Sequence, residues 1–254
     1  MKQSVLTQFP VKPLTLSAGK SLLFYFGDLS LCVSHHSYEW RTEYSYCKPV
    51  VGSAIGQYGK LIMERYAINQ SGARISLSPR LADRAIVSRP LAPITILPNC
   101  ETTVYVGTPL WLDLKIDDTL IKELSCVVLS DTWFGRDTLQ GELCYSTSTR
   151  ARLNAKQLVR DSHKALTPIV ITNQGIKSIT LERINVPVPF LSLYQEKDGQ
   201  FTTSTLAIVL EHNVIDAKLE IKPPLQADSL KKVADSSKPI KKAFVYRTLD
   251  LLFA

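Results

Sequence analysis

The sequence predicts an all-β protein with two antiparallel, sandwich-like domains, and three observations carry this prediction. Its apolar runs are short and lie between proline and glycine residues, as is typical of strands in packed sheets. Residues 38–46 alternate aromatic and polar side chains, which matches the period of two in a β-strand. The chain has 254 residues, enough for one large β domain or two of ordinary size.

Composition and charge limit the possible functions. The chain is 45% hydrophobic and 21% charged, as expected of a globular protein. No apolar run approaches the roughly 20 residues that a membrane-spanning helix needs. Because Lys2, Pro10 and Lys12 interrupt the N-terminal region, we expect no secretion signal and a cytoplasmic protein. The net charge of +7 favours acidic partners: anionic lipids, nucleic acid or an acidic protein surface.

The five cysteines indicate packed thiols rather than a disulfide framework, because their number is odd and none forms a CxxC pair. A zinc site from Cys32, His35, His36 and Cys47 is disfavoured. The adjacent histidines would point to opposite faces of a strand, and the spacing matches no standard zinc pattern. The sequence therefore predicts no metal site and no cofactor.

The first strands are predicted within residues 22–47. Four aromatic residues are expected to share one face of the strand at 38–46: Tyr38, Trp40, Tyr44 and Tyr46. In one interpretation, which the alternation favours, they form the inner face of a sandwich. In the other they form a ligand face for bases or sugars. Glu39 and Glu43 in the same strand would repel phosphates, so we expect no nucleic-acid partner.

A hairpin and a short helix are predicted next. Residues 61–69 and 73–77 have the length and composition of two strands joined by a turn. Ser78 can cap a helix whose first position is Pro79, so one or two helical turns are expected up to Ile86.

Residues 90–149 are the best-specified part of the predicted fold. Three short strands are expected at its start: 94–97, 104–106 and 109–116. The adjacent Asp117 and Asp118 are typical of a turn that joins two strands rather than of a metal site, because no glycine-bearing calcium loop follows.

The same region carries an ordered set of short segments: a Val-Tyr-Val-Gly-x-Pro-Leu strand, a Ser-Asp pair, Trp-Phe-Gly, a second glycine and a tyrosine. This order resembles an uncharacterised, largely archaeal family of domains of unknown function. Its members typically carry a Tyr-Gly pair, a further glycine and an Arg-Tyr pair. The corresponding residues here are Phe134, Gly135, Gly141, Cys144 and Tyr145. The family's tyrosine and arginine are thus replaced, which puts any role of that arginine in doubt here.

The resemblance implies an all-β protein of unassigned activity. It also implies a gene that lies beside those of small mechanosensitive channels, because this neighbourhood is frequent in the family.

The second half of the chain is predicted to begin with a connector and to continue in strands. Residues 150–166 have one apolar helical face with basic residues opposite, so a short helix or connector is expected. Strands are predicted at 169–172, 176–184, 186–194, 201–211 and 214–222. Their length and turns are those of an immunoglobulin-like sandwich. We therefore expect domains at residues 1–152 and 167–254.

The C-terminal segment changes character, with a lysine-rich stretch at 222–242 and an apolar terminus. The residues that can contact a partner or a membrane are Lys231, Lys232, Lys238, Lys241, Lys242, Phe244, Tyr246, Leu251, Leu252 and Phe253. In one interpretation the lysines lie on an anionic membrane, at about 1 kcal/mol each, while the terminus docks on a partner. In the other, the terminus is the last strand of its own sheet, and the lysines keep a long loop solvated.

No catalytic motif of the GxSxG or HExxH type is present. The sequence therefore predicts a non-catalytic binding or regulatory module, cytoplasmic or peripheral on the inner face of the membrane. With the implied gene neighbourhood, the expected partner is a membrane protein such as an oligomeric mechanosensitive channel, with an anionic lipid surface nearby. The alternatives are a ligand- or nucleic-acid-binding β protein that uses strand 38–46, and an enzyme without a recognisable motif.

Overall fold

The structure is a computed structural model that describes residues 5–46, 60–67, 74–135, 141–210, 216–239 and 244–247. The described residues form β-strands and three 3-10 helices, with no α-helix among them. The predicted all-β fold is therefore confirmed, whereas the immunoglobulin-like arrangement of the second half stays a prediction. In the same ranges, no helix is long and apolar enough to span a membrane.

The strands are numbered in chain order. The first twelve are β1 (Val5–Leu6), β2 (Leu14–Thr15), β3 (Ser21–Phe26), β4 (Leu29–His35), β5 (Trp40–Tyr46), β6 (Ile62–Tyr66), β7 (Arg74–Arg80), β8 (Ile86–Ser88), β9 (Ile94–Ile96), β10 (Cys100–Pro109), β11 (Trp111–Ile116) and β12 (Thr119–Ser125). The others are β13 (Ser130–Gly135), β14 (Gly141–Ser146), β15 (Lys164–Asn173), β16 (Ile179–Leu181), β17 (Ile184–Val186), β18 (Leu193–Gln195), β19 (Phe201–Thr203), β20 (Thr205–Leu210), β21 (Asp216–Lys222), β22 (Lys231–Ala234) and β23 (Phe244–Arg247). The 3-10 helices are Ala155–Gln157, Val188–Phe190 and Ala227–Ser229.

The chain divides into two compact units, and neither is continuous in sequence. Unit 1 comprises Met1–Arg80 and Leu110–Val128, and unit 2 comprises Leu81–Pro109 and Leu129–Ala254. This grouping differs from the expected division into residues 1–152 and 167–254. The physical reason is that β10 pairs along its whole length with β15, so strands from both sides of the expected boundary share one sheet.

Unit 1 contains a five-stranded sheet in the order β1-β3-β4-β5-β6 and a four-stranded sheet in the order β12-β11-β7-β2. The predicted alternation in β11 is present, because Leu112, Leu114 and Ile116 are buried while the residues between them are partly exposed. Burial of one side of a strand is what a period of two produces in a half-buried sheet.

Two expectations for unit 1 are wrong. The hairpin expected from residues 61–69 and 73–77 does not form, because β6 pairs with β5 while β7 pairs with β11 and β2. The short helix expected after Ser78 is absent, because β7 continues as a strand through Arg80. Pro79 is tolerated there because β2 pairs only with the first two residues of β7, which leaves the proline without a strand on that side.

Unit 2 is built around β15, the centre of an eight-stranded sheet. One edge of β15 pairs with β10, and the other pairs in parallel first with β19 and then with β20. The order of the other strands is β22-β18-β19-β15-β20-β21-β23. Of the two alternatives for residues 150–166, a short helix or a connector, the structure has a connector. It contains two isolated β-bridges, at Ala151 and Arg152, and a 3-10 turn capped by Asn154 before β15 begins.

Two smaller sheets complete unit 2. One has the order β13-β14-β8-β17, and the other is the antiparallel pair β9 and β16. The four-stranded sheet carries the residues on which the family resemblance depends. This sheet therefore positions the candidate site.

Candidate functional site

The hairpin of β13 and β14 places two family positions in a small hydrophobic core. Phe134 and Cys144 are buried together with Ala85 and Val87. Burial, and secondarily the charge of Glu142, raises the pKa of the Cys144 thiol to about 12. The position of the family's arginine therefore carries an uncharged, buried side chain in this protein.

Gly141 is a position where only glycine fits. It lies opposite Gly135 in the hairpin and directly beside the Trp133 ring. A Cβ atom at Gly141 would lie 2.6 Å from Trp133 Nε1 and 2.7 Å from the carbonyl oxygen of Phe134. Because one of these neighbours is backbone, rotation of a side chain cannot relieve the clash.

Replacing Gly141 with alanine should lower the free energy of unfolding by about 1–3 kcal/mol, the usual cost when added atoms force the backbone to shift. Urea unfolding followed by circular dichroism measures this effect. Ser130→Ala, at an exposed position of β13, serves as the control and should leave the transition unchanged. Coincident transitions for Gly141→Ala and the wild type would contradict the steric argument.

Tyr145, the last family position, takes part in a polar network at the surface of the hairpin. Its hydroxyl donates to Asp83 Oδ1 at 3.1 Å, and the Arg84 guanidinium carbon lies 5.2 Å from its ring centroid. Arg84 also contacts Asp131 at 3.3 Å. Burial, and then the hydrogen bond to Asp83, raises the pKa of Tyr145. These contacts fasten the segment before β8 to the hairpin.

A cleft of about 130 Å³ lies beside this network, and we call it the motif cleft. Its charged and polar lining residues are Asp83, Arg84, Glu142, Asn185 and Lys238. The backbone N–H of Lys238 donates to the Pro189 carbonyl at 3.0 Å, which fixes the C-terminal segment here. The structure thus brings one of the predicted contact lysines next to the family positions.

Asn185 gives the motif cleft a buried hydrogen-bond acceptor. Its amide nitrogen donates to Glu142 Oε1 at 2.6 Å. Its side-chain oxygen is buried and has no hydrogen-bond partner among the described residues. A buried acceptor without a partner is costly, so a donor from a bound molecule would be favoured at this position.

The sequence model of the family described as protein of unknown function (DUF432) matches residues 12–253, nearly the whole chain. The chain belongs to the DUF432 family. No curated protein and no solved structure matches this chain. The family assignment agrees with the resemblance at the β13–β14 hairpin. In this DUF432 protein, three of the family positions have structural explanations. Phe134 packs in a small core, Gly141 lies against the Trp133 ring, and Tyr145 donates a hydrogen bond to Asp83.

The aromatic residues of β5 do not form one exposed surface. Trp40 is 1% exposed and stacks on His35 with ring centroids 4.1 Å apart, and Tyr44 is also buried. Burial raises the pKa of Tyr46 to about 12. Tyr38 is 91% exposed and precedes the strand. For Trp40 and Tyr44, the interpretation as the inner face of a sheet fits this geometry.

Besides Lys238 in the motif cleft, the C-terminal contact residues fall into three groups. Lys231 and Lys232 are exposed in β22, which is an end strand of the eight-stranded sheet. Phe244 and Tyr246 belong to β23, whose backbone pairs with β21 of the same sheet. The remaining residues lie outside the described part: Lys241, Lys242, Leu251, Leu252 and Phe253. Strand β23 therefore returns to its own sheet, as one of the two interpretations expected.

Three cysteines have the buried thiols that the sequence indicated. Cys32, Cys126 and Cys144 are buried, Cys100 is exposed, and Cys47 lies outside the described residues. Burial raises the pKa of Cys32 to about 11, and it also raises that of Cys126. Among the residues that the structure describes, no group of three or more His, Cys, Asp or Glu could hold a metal ion.

A second cleft in unit 2 was missed by the sequence analysis. It has a volume of about 230 Å³, and its lining contains three arginines and five residues with side-chain hydroxyls. The one local signal is the run Ser146-Thr147-Ser148-Thr149 followed by Arg150. The other two arginines come from distant parts of the chain, so spacing could not reveal the cleft.

Proposed function

We propose that this protein is a non-catalytic binding module that acts as an auxiliary subunit of a membrane protein. Its lysine-rich segment holds it at an anionic membrane surface. The observation that carries the proposal is the placement of the segment's lysines. Lys231 and Lys232 are exposed on an end strand, and Lys238 is fixed by its backbone to the same unit. Lys231 and Lys232 thus project from a folded edge, where Lys232 also forms an ion pair with Asp235, and Lys238 follows in the segment after β22.

The geometry of β22 suits contact along the strand edge. Strand β22 pairs with β18, and neighbouring residues of a strand point to opposite faces, so Lys231 and Lys232 flank the edge on both sides. Each lysine close to an anionic leaflet contributes about 1 kcal/mol of attraction. Lysines also prevent unwanted pairing at a sheet edge, and this protective role is compatible with membrane contact.

The proposed partner rests on the gene neighbourhood that the resemblance implies. A gene neighbourhood with small mechanosensitive channels, which the resemblance implies, favours an oligomeric channel of this kind as the membrane protein. Gene neighbourhood is an association and not a mechanism, so the partner needs a direct biochemical test.

Substitution is a better test than truncation, because deletion of residues 231–254 would remove both end strands, β22 and β23. Strands β18 and β21 would then keep only one neighbour each, β19 and β20. The double variant Lys231→Gln/Lys232→Gln removes two positive charges, so binding to anionic vesicles should weaken about thirtyfold. Co-sedimentation with phosphatidylglycerol-containing vesicles measures this, and pure phosphatidylcholine vesicles give the background.

The matched control is Lys156→Gln/Lys177→Gln, which removes the same charge from exposed positions in unit 2. This control should bind like the wild type. Equal loss of binding in both double variants would show a general charge effect and contradict the assignment to β22.

A pull-down from gently solubilised native membranes tests the partner. Stoichiometric recovery of a channel with the wild-type protein, and its loss with the β22 variant, is the expected result. Recovery of the protein from the soluble fraction without a membrane protein would overturn the proposed function.

A further inference from the structure

The second cleft of unit 2, which we call the arginine cleft, collects positive charge, and its described lining contains no acidic residue. It is lined by Arg89, Arg150 and Arg183, together with Thr132 and the hydroxyl residues 146–149. No Asp or Glu is among its lining residues. Because like charges repel, three converging arginines without a counter-charge are the arrangement that an anionic ligand would stabilise.

These arginines differ from most others in the described ranges. Six arginines form ion pairs with carboxylates: Arg41, Arg65, Arg74, Arg80, Arg84 and Arg160. Within the part of the chain that the structure describes, Arg89, Arg150 and Arg183 have no carboxylate at salt-bridge distance. The cleft therefore gathers three arginines that form no ion pair with a carboxylate of the described residues.

One wall of the cleft is held in place by strand β8. The Thr147 N–H donates to the Val87 carbonyl at 3.2 Å, and the Ala151 N–H donates to the Arg89 carbonyl at 2.9 Å. Between them, the Ser88 hydroxyl donates to the Thr149 carbonyl at 2.8 Å. A wall that is already ordered loses little conformational entropy when a ligand binds.

The cleft lining also contains Arg183, whose guanidinium carbon lies 5.8 Å from the centroid of the buried Phe134 ring. A guanidinium over an aromatic face is attracted to the ring, which restricts the orientation of the side chain. The family position Phe134 thereby has a second contact besides its core packing.

We propose that the arginine cleft binds a phosphate group. Guanidinium groups bind phosphate through paired N–H donors, and serine and threonine hydroxyls supply further donors. The volume of about 230 Å³ is below the roughly 300–1,000 Å³ typical of pockets for drug-sized ligands, so a phosphate head fits better than a whole nucleotide. The inference shares no residue with the lysine edge, so it stands independently of the proposed function.

The test is a titration of the full chain with inorganic phosphate at constant ionic strength. The melting temperature of the protein is measured at each phosphate concentration. A ligand that binds the folded state raises this temperature in a saturable way. The variant Arg89→Gln/Arg183→Gln should bind phosphate at least about tenfold more weakly, because hydrogen bonds between charged groups are the strong ones. The double variant Lys156→Gln/Lys177→Gln should bind like the wild type.

Folding of the arginine variant is checked by its circular dichroism spectrum and its melting temperature without phosphate. If Arg183→Gln disturbs the packing on Phe134, the single variant Arg150→Gln keeps the test valid, because Arg150 is exposed. The proposal would be overturned if the wild-type protein showed no saturable response to inorganic phosphate and no saturable binding to phosphatidic acid vesicles. Equal weakening in the lysine control would overturn it as well.

Vesicles distinguish the two sources of the phosphate group. Phosphatidic acid carries a terminal phosphate monoester, whereas phosphatidylglycerol is anionic through a phosphodiester. The fractions of the two lipids are adjusted so that both kinds of vesicle have the same measured zeta potential. A preference for phosphatidic acid over phosphatidylglycerol vesicles assigns the cleft to a lipid head group. The arginine variant should lose this preference, and the β22 variant should keep it. A response to inorganic phosphate without this lipid preference assigns it to a soluble phosphate compound.

Discussion

Replacement of Asn173 with alanine should lower the free energy of unfolding by about 3 kcal/mol or more. The Asn173 side chain is fully buried at the end of β15, and its amide nitrogen lies 3.1 Å from the carbonyl oxygens of Ile96 and Leu97 and 2.9 Å from that of Lys177. Its side-chain oxygen accepts from the Gly175 N–H at 3.0 Å. Alanine would remove the hydrogen bonds to the Ile96 and Lys177 carbonyls and to the Gly175 N–H, at about 1–3 kcal/mol for each buried group. The Leu97 carbonyl would keep its bond from the Cys100 N–H at 3.3 Å.

Urea unfolding followed by circular dichroism measures the effect of Asn173→Ala. Gln174→Ala, at the exposed neighbouring position, is the control and should stay within about 0.5 kcal/mol of the wild type. Asn173→Asp is a second variant, because it keeps the acceptor for Gly175 but brings a carboxylate towards three carbonyl oxygens. It should be destabilised too, and a loss below about 1 kcal/mol in both variants would contradict the assigned role.

Local sequence patterns predicted where the strands of this protein lie better than which strands pair with each other. The alternation in β5 and β11 identified both strands, because a half-buried strand requires a period of two. The serine and proline at the end of β7 suggested a helix start, yet the pairing of β7 with β11 determined the outcome. Pairing depends on tertiary contacts, and no local pattern contains them.

The candidate sites show the same limitation. The family positions were found through the resemblance, but their physical roles depend on contacts such as the one between Gly141 and Trp133. The arginine cleft requires Arg89, Arg150 and Arg183 to meet, although they are far apart in sequence. Sequence spacing detects sites built from one segment, and this cleft is assembled from several strands and loops.

Replacement of Trp40 with alanine should lower the free energy of unfolding by about 3–5 kcal/mol, the usual cost of removing a large buried aromatic side chain. Trp40 is among the largest fully buried side chains, and its ring stacks on His35, whose Nδ1 lies 2.8 Å from the Leu16 carbonyl. The variant therefore leaves a cavity and removes the ring that packs on this histidine. Urea unfolding measures the loss.

Tyr38→Ala is the matched aromatic control, because Tyr38 is 91% exposed, and its stability should stay within about 0.5 kcal/mol of the wild type. This pair of variants also separates the two interpretations of the aromatic residues. A ligand face requires Trp40 to be dispensable for folding, whereas an inner face requires a large loss of stability. A Trp40→Ala protein as stable as Tyr38→Ala would contradict the inner-face interpretation and return β5 to the candidate binding sites.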